Sequence, residues 1–125
     1  MLGNSPVTTT VAVKDLAAAK TFYTDVLGLS VVNENPMGVF LKSGDSQLLI
    51  YESQFAGTNK ATYAGWKVDD IQSIVTELKG KGVQFQTFDL PGATWDNDVA
   101  VMGSMKSAWF TDPDGNILAL DNSDM

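Results

Sequence analysis

The stretch Ala108–Leu120, AWFTDPDGNILAL, decides the fold, because apolar residues flank a hydrophilic corner on both sides. Pro113 presets φ for a turn, Gly115 is able to adopt a positive φ, and Asp and Asn side chains bond to nearby backbone. The stretch therefore predicts a β-hairpin whose two strands flank Asp112–Asn116.

This hairpin has a counterpart 70 residues earlier in the chain. At that offset, Phe110-Thr111-Asp112 aligns with Phe40-Leu41-Lys42, and Ile117–Leu120 aligns with Gln47–Ile50. A second match follows, at a different offset.

The second match aligns Val68-Asp69-Asp70 with Val13-Lys14-Asp15 at an offset of 55 residues. The offset changes between the two matches because the second repeat carries a longer insert, Asp89–Lys106. Matching corners at both ends of each repeat predict an internal duplication, which constrains the fold strongly.

Each repeat is predicted to have the order βαβββ. The helices are predicted at Asp15–Leu27 and Asp70–Lys79, each with an aspartate as its N-cap, because apolar residues recur there at helical spacing. Runs of β-branched and apolar residues predict the strands: Val7–Val13, Leu29–Val32, Gly38–Lys42, Gln47–Tyr51, Thr62–Val68, Val83–Phe88, Ser107–Thr111 and Ile117–Asp121. The sequence predicts an α+β fold, in which modules 5–52 and 61–122 form one domain over residues 1–125.

Composition excludes several classes of protein. The chain has 125 residues, of which 44% are hydrophobic, and this is enough for one packed core. It contains neither cysteine nor histidine, so disulfides, thiolate chemistry and the commonest general base are absent. A net charge of −7 argues against nucleic acid. Without a basic leader or a long apolar run, we expect a cytoplasmic protein that does not enter a membrane.

Three stretches resemble a known family: VKDLAAAKTFYTDVLGL at 13–29, WKVDDIQSIVTELKGKGV at 66–83 and WFTDPDGNILAL at 109–120. With the strands between them, they are similar to the vicinal oxygen chelate superfamily, which includes glyoxalase I, extradiol dioxygenases and bleomycin resistance proteins. The resemblance implies that the two modules pair into a curled mixed sheet around one cavity, with the helices outside. It also implies that enzymes of this family hold a divalent metal in that cavity. One fold serves many activities, so the activity is predicted less specifically than the fold.

Strand parity predicts which side chains face this cavity. Successive side chains of a strand alternate between its two faces. Val11 and Val13 are assigned to the side under the first helix, so Thr8, Thr10 and Ala12 face the cavity. The same argument places Trp66 and Val68 under the second helix, with Tyr63, Gly65 and Lys67 on the cavity side. In the closing strands, it turns Leu49 and Ala119 toward the cavity.

The resemblance places the metal ligands of the family at Thr8, Leu49, Tyr63 and Ala119. Neutral hydroxyls and alkyl groups do not hold a divalent metal, which needs imidazole, carboxylate or carbonyl ligands. The neighbours one residue away are no better: Val7, Thr9, Leu48, Ile50, Thr62, Ala64, Leu118 and Leu120. The sequence therefore predicts that no metal and no cofactor is bound.

The cavity is predicted to bind a small molecule. Apolar walls with a few hydroxyls suit an aromatic ligand, and the acidic charge suits a cationic one. The predicted ligand-binding residues are Thr8, Thr10, Leu49, Tyr51, Tyr63, Lys67, Trp95, Met102, Trp109 and Ala119. The alternative is that these side chains fill a dry core between the sheets.

Two function classes remain open at this point. The first is a metal-free binding protein of the glyoxalase/bleomycin resistance type that sequesters an aromatic or cationic ligand. The second is a metal-independent enzyme, lyase- or isomerase-like, that uses Tyr63, Lys67 or a carboxylate. Turnover of the bound compound would separate the two classes. We expect a homodimer, in which the modules pair either within one chain or between two chains.

Three polar features have two interpretations each. Lys67 could act as a base if buried, but a lysine near a strand end more commonly reaches solvent or pairs with a carboxylate. Asp112 and Asp114 are expected to cap the backbone of an exposed turn rather than to catalyse. Asp96-Asn97-Asp98 is expected to form a solvated loop, with a cation-binding rim as the alternative.

Overall fold

The structure is a computed structural model that describes residues 1–122, so the predicted end of the domain, residues 123–125, lies outside the described residues. The chain divides into two compact units, of which the first ends at Gly57 and the second begins at Thr58. Each unit contains a mixed β-sheet and an α-helix, so the prediction of an α+β fold is confirmed. Within residues 1–122, no helix has the length and apolar character needed to span a membrane.

The first unit has the predicted βαβββ order. Its elements are β1 (Thr9–Val13), α1 (Leu16–Thr21), β2 (Ser30–Asn35), β3 (Gly38–Ser43) and β4 (Ser46–Glu52), with a short 3-10 turn at Leu2–Asn4 before them. The strands lie in the order β1-β4-β3-β2, with β1 parallel to β4 and the other neighbours antiparallel.

Helix α1 begins at the predicted cap, where the Asp15 carboxylate accepts a hydrogen bond from the Ala18 N–H at 3.1 Å. The α-helix ends earlier than predicted, because Phe22–Val26 continues it as a π-helical turn. Gly28 then ends the segment with a φ of 84°, a conformation that glycine adopts without steric cost.

The second unit also begins with a strand and a helix. Its elements are β5 (Thr62–Lys67), α2 (Ile71–Gly80), β6 (Phe85–Gln86), β7 (Thr94–Asp96), β8 (Val99–Met102), β9 (Met105–Thr111) and β10 (Ile117–Asp121). The strands lie in the order β5-β10-β9-β8-β7, and β6 also pairs with β9. The Asp70 carboxylate caps α2 by accepting from the Ser73 N–H at 3.2 Å.

The insert Asp89–Lys106 departs from the prediction, because part of it is a β-hairpin formed by β7 and β8 rather than a loop without strands. Asn97 and Asp98 turn the chain with φ values of 54° and 62°. Two consecutive positive φ values are what a two-residue hairpin turn of type I′ requires, and Asn and Asp tolerate them. The predicted strand Val83–Phe88 is correspondingly shorter, since only Phe85–Gln86 pairs with β9.

The alignment of the two main hairpins is wrong by one residue in its first strand. Phe110 lies opposite Leu118, whereas in the first unit Leu48 lies opposite Leu41 rather than Phe40. The turns differ in length: Gly44 and Asp45 connect the pair Ser43 and Ser46, whereas three residues separate Asp112 from Asn116. Phe110 therefore corresponds to Leu41, and Phe40 faces the opposite side of its sheet.

Each sheet buries the face that α1 or α2 covers. In the first unit, the buried residues on this face are Val11, Val13, Val39, Leu41, Leu48 and Ile50. In the second unit they are Val99, Ala108, Phe110, Leu118 and Leu120. The Phe110 ring stacks on Trp66 and contacts Phe85, with centroid distances of 6.3 and 5.4 Å. The parity predicted for Val11, Val13 and Trp66 is confirmed, and the opposite side of each sheet is called its distal face below.

Candidate functional site

Three aromatic rings pack together on the distal face of the second unit. The Phe88 ring contacts Trp109 with a centroid distance of 4.7 Å and Trp95 with a distance of 5.8 Å. The two indoles lie 6.2 Å apart. We call Phe88, Trp95 and Trp109 the aromatic cluster.

The strand register brings the two tryptophans to the same face. Trp109 of β9 lies opposite Ala119 of β10 and opposite Gln86 of β6. Trp95 of β7 lies opposite Ala100, which lies opposite Ser107 of β9. Ser107 and Trp109 are two residues apart on one strand, so their side chains share a face. Two of the predicted site residues, Trp95 and Trp109, are therefore neighbours.

Phe88 was not among the predicted site residues. It follows β6 by two residues, and the register of Gln86 opposite Trp109 directs Phe88 toward the same side of the sheet. Phe88 as a whole remains 45% exposed although its ring contacts both indoles. The sequence shows an aromatic residue at position 88. It does not show how β6 pairs with β9, and this pairing determines which face of the sheet Phe88 lies on.

Beside Trp109, the distal face is nearly free of side-chain volume. Gly65 of β5 and Ala119 of β10 lie opposite each other in the register, and Ala119 lies opposite Trp109. A Cβ placed on Gly65 would lie 3.5 Å from the Ala119 carbonyl oxygen and 3.8 Å from the Ala119 Cβ, which is ordinary contact. The sheet thus carries little side-chain volume over Ala119 and Gly65, and a side chain at Gly65 would add volume two strands away from Trp109.

The other predicted residues of the second unit lie farther from the cluster along the sheet. Tyr63 is an additional residue in β5, because Thr62 lies opposite Ile117 and Ala64 opposite Leu118. Within residues 1–122, no aromatic contact joins its half-buried ring to the aromatic cluster. Lys67 is exposed and lies opposite Asp121 in the register. Met102, which is 37% exposed, lies opposite Met105 at the end of the β8–β9 hairpin.

In the first unit, the predicted residues Thr10, Leu49 and Tyr51 lie on the distal face of its own sheet. Thr10 lies opposite Leu49, which is only 6% exposed, and Tyr51 lies opposite Ala12. Thr8 is exposed and precedes β1, which begins at Thr9. In the same unit, a cavity of about 340 Å³ is lined by Lys14, Glu52, Ser53 and Gln54. None of the predicted site residues lines that cavity.

The residues at the family's metal positions do not fit a divalent ion. Leu49 and Ala119 offer hydrocarbon, and Thr8 and Tyr63 offer neutral hydroxyl groups. Elsewhere in the part of the chain that the structure describes, no three histidine, cysteine, aspartate or glutamate side chains come together as a metal site would require.

The Asp112–Asn116 turn is held by its own side chains. The Asp112 carboxylate accepts hydrogen bonds from the backbone N–H groups of Asp114 and Asn116, both at 2.9 Å, and from the Asn116 side-chain amide at 2.8 Å. The expectation that Asp112 caps the backbone is therefore confirmed. The expectation that it lies on an exposed turn is wrong, because these bonds draw it inward until it is only 4% exposed.

Comparison with known proteins identifies the family. A model of the Glyoxalase/Bleomycin resistance protein/Dioxygenase superfamily matches residues 6–120. The chain belongs to this superfamily. No curated protein matches the chain.

Several solved structures of other proteins share the fold. UcmS2 is 19% identical and superposes with a TM-score of 0.75 over 94% of this chain and 97% of that chain. TnmS3, an antibiotic binding protein from Streptomyces sp. CB03234, is 23% identical with a TM-score of 0.70 over 97% of both chains. A lactoylglutathione lyase from Agrobacterium tumefaciens is 22% identical with a TM-score of 0.68 over 94% of this chain and 92% of that chain. At these identities the likeness shows the fold alone.

Proposed function

We propose that this member of the glyoxalase/bleomycin resistance superfamily is a metal-free binding protein that sequesters an aromatic or cationic small molecule. The aromatic cluster on the distal face of the second unit is the observation that carries the proposal. Apolar residues that cluster on a surface, unlike single exposed ones, mark binding surfaces, and aromatic faces attract both other rings and cations.

Two further observations support binding rather than simple packing. Phe88 keeps almost half of its surface exposed, which a ring that only fills a core would not do. Gly65 and Ala119 leave space beside Trp109 where larger residues would close the face. TnmS3, an antibiotic binding protein with the same fold, adds support.

The enzyme alternative receives less support from the geometry. A lysine that serves as a base or as a covalent nucleophile is usually enclosed by apolar groups, which favour its neutral form. Lys67 is exposed and lies opposite a carboxylate in the register, at Asp121. Tyr63 has no ring contact with the aromatic cluster among the described residues. Binding without turnover is therefore the function we propose.

A screen in the presence of EDTA tests this function. Aromatic and cationic metabolites are added to the protein, thermal shift identifies those that raise the melting temperature, and isothermal titration calorimetry measures the dissociation constant. We expect micromolar binding with the ligand recovered unchanged by mass spectrometry. Chemical conversion of the ligand would favour the enzyme alternative, and binding that EDTA abolishes would contradict the metal-free proposal.

The assembly and location predicted from the sequence also belong to this proposal. We propose a cytoplasmic homodimer, in which the modules pair either within one chain or between two chains. Sedimentation velocity at micromolar concentration measures the mass directly. A single species of monomer mass would contradict the homodimer.

A further inference from the structure

The tip of the β7–β8 hairpin is fastened to helix α2 on the side of the sheet opposite the aromatic cluster. Three residues of α2, spaced by four and then three positions, face this tip: Gln72, Thr76 and Lys79. This spacing places them on one side of a helix. With Asp96, Asn97 and Asp98 of the turn, they form what we call the clamp.

Lys79 makes the shortest contacts of the clamp. Its ammonium group lies 2.8 Å from the Asp98 carboxylate and donates to the Asn97 side-chain oxygen, also at 2.8 Å. It reaches the Asn97 backbone carbonyl at 3.4 Å. The same group lies 5.9 Å from the centroid of the Phe85 ring, within the range of a cation–π interaction. The sequence raised the idea of a cation-binding rim here, and the cation that the structure places at this turn is Lys79.

Gln72 and Thr76 complete the clamp. The Gln72 side-chain amide donates to the Asp96 carbonyl at 3.1 Å. The Asn97 side-chain amide lies 3.4 Å from both the Gln72 carbonyl oxygen and the Thr76 hydroxyl. All three turn residues are therefore held, through backbone or side-chain atoms, by one side of α2.

The hairpin needs this support because β7 has few other constraints. It is only three residues long, it lies at the end of the strand order, and β8 is the one strand with which it pairs among the described residues. A short edge strand is held weakly by its ladder alone. Trp95 is the middle residue of β7 and directly precedes the clamped turn, so the position of its indole depends on where the turn is fixed.

We propose that Lys79 is a positioning residue of the ligand site: through the clamp it holds the β7–β8 hairpin so that Trp95 meets Trp109. This inference rests on the proposed function, because it assigns the clamp a role in binding as well as in folding. Lys79 acts from the helix-covered side of the sheet and contacts the turn rather than the ligand.

Two substitutions of Lys79 and one matched control test the proposal. Lys79→Met removes the charge and the donors but keeps an unbranched apolar side chain against Phe85, whereas Lys79→Arg keeps the charge and the donors. Lys81→Met removes a lysine two residues away, just after the end of α2, which makes no hydrogen bond or ion pair with the turn among residues 1–122. Asp98→Asn weakens the clamp from the other side and keeps a residue that tolerates a positive φ.

The measurements are the ¹H–¹⁵N NMR signals of the tryptophan indoles and the dissociation constant for 1-naphthol, a neutral bicyclic aromatic probe. In Lys79→Met and Asp98→Asn, we expect the Trp95 indole signal to move or broaden, the Trp66 signal to stay in place, and the dissociation constant to rise by about tenfold. We expect Lys79→Arg to restore the constant to within about twofold and Lys81→Met to match the unmodified protein. In the unmodified protein, 1 M NaCl should move the Trp95 signal in the same direction, since the ion pair is partly exposed and salt screens it.

Different outcomes separate this inference from the proposed function. If the unmodified protein binds 1-naphthol and Lys79→Met lowers the melting temperature without changing the Trp95 signal or the affinity, the clamp serves folding alone and the inference is overturned. If the Trp95 signal moves and the affinity does not, the clamp positions Trp95 but the ligand does not use it, which also overturns the inference. If no screened compound binds the unmodified protein, the proposed function is contradicted, and so is the positioning role of Lys79.

Discussion

Gly65 illustrates how the absence of a side chain shapes the candidate site. Glycine within a strand is unfavourable unless another group approaches closely or a special backbone conformation is needed. Neither reason applies here, because a Cβ at Gly65 would make only ordinary contacts and the backbone does not have a positive φ. The space that the missing side chain leaves lies across the sheet from Trp109, because Gly65 lies opposite Ala119 and Ala119 lies opposite Trp109.

The substitution Gly65→Val should therefore separate binding from stability. Valine suits a strand, so we expect the free energy of unfolding to stay unchanged or to rise by up to about 1 kcal/mol in urea denaturation. The added methyl groups fill the part of the distal face that extends from Trp109 past Ala119. For a ligand that lies over both Trp109 and this part of the face, we expect the dissociation constant to rise at least tenfold, or about 1.4 kcal/mol.

A control on the same strand is Thr62→Val, which exchanges an exposed residue for one of similar shape. It should leave both the free energy of unfolding and the affinity unchanged. Unchanged affinity in Gly65→Val would show that the ligand does not lie over this part of the distal face. A large loss of stability in that variant would show that this part of the face is tightly packed.

The two main hairpins show how far an element can be predicted from the sequence. The turn residues Pro113 and Gly115 located the second hairpin correctly, since their conformational preferences act locally. The one-residue difference between the hairpins was missed, because the alignment of Phe110 with Phe40 matched residue type and ignored the length of the turn. A shift of one residue reverses the face of every side chain in a strand, so Phe40 was aligned with a residue of the opposite face.

We expect the Asp112–Asn116 turn to contribute more to the free energy of unfolding than an exposed turn does. Asp112→Ala removes the carboxylate that accepts three hydrogen bonds. The N–H groups of Asp114 and Asn116 that donate these bonds then have no acceptor in the turn. Hydrogen bonds to a charged group contribute roughly 1.5–3 kcal/mol each and are not additive, so we expect a loss of about 2–4 kcal/mol in the free energy of unfolding.

Urea denaturation measures this loss, and Asp114→Ala in the same turn serves as the comparison. Asp114 is less buried than Asp112, so its substitution should cost under about 1 kcal/mol. Equal losses in the two variants would contradict the view that the Asp112 carboxylate organises the turn.

The aromatic cluster marks the limit of prediction from sequence. Parity along β9 and β10 was enough to place Trp109 and Ala119 on one face, because it depends only on alternation within a strand. The proximity of Trp95 depends on a hairpin inside the insert, which has no counterpart in the first repeat. Phe88 belongs to the connection between β6 and β7, where neither periodicity nor repetition gives a register. The part of the site that comes from the repeat was predictable, and the part that comes from the insert was not.

At the scale of the whole molecule, the chain keeps the fold of its superfamily, but the four positions that the resemblance assigns to metal ligands hold hydroxyl and alkyl groups. After dialysis against EDTA, we expect titration with Zn²⁺, Ni²⁺, Mn²⁺ or Fe²⁺ to give no stoichiometric heat in calorimetry and no change in melting temperature. Hydroxyl and alkyl groups at the expected positions give the physical reason. A single ion bound tightly by residues of β1, β4, β5 or β10 would contradict both the metal-free proposal and the assignment of those positions.

The most direct test of the central claim is a ¹H–¹⁵N NMR titration of the three tryptophan indoles with 1-naphthol and, separately, with tetraethylammonium, in the presence of EDTA. Trp95 and Trp109 lie on the distal face, whereas Trp66 stacks on Phe110 on the side that α2 covers, so Trp66 is an internal control. We predict that at least one of the two probes shifts the indole signals of Trp95 and Trp109 in a saturable way and leaves the Trp66 signal unmoved. If neither probe moves the Trp95 and Trp109 signals at millimolar concentration, or if all three signals move together, the aromatic cluster is packing and not a binding site.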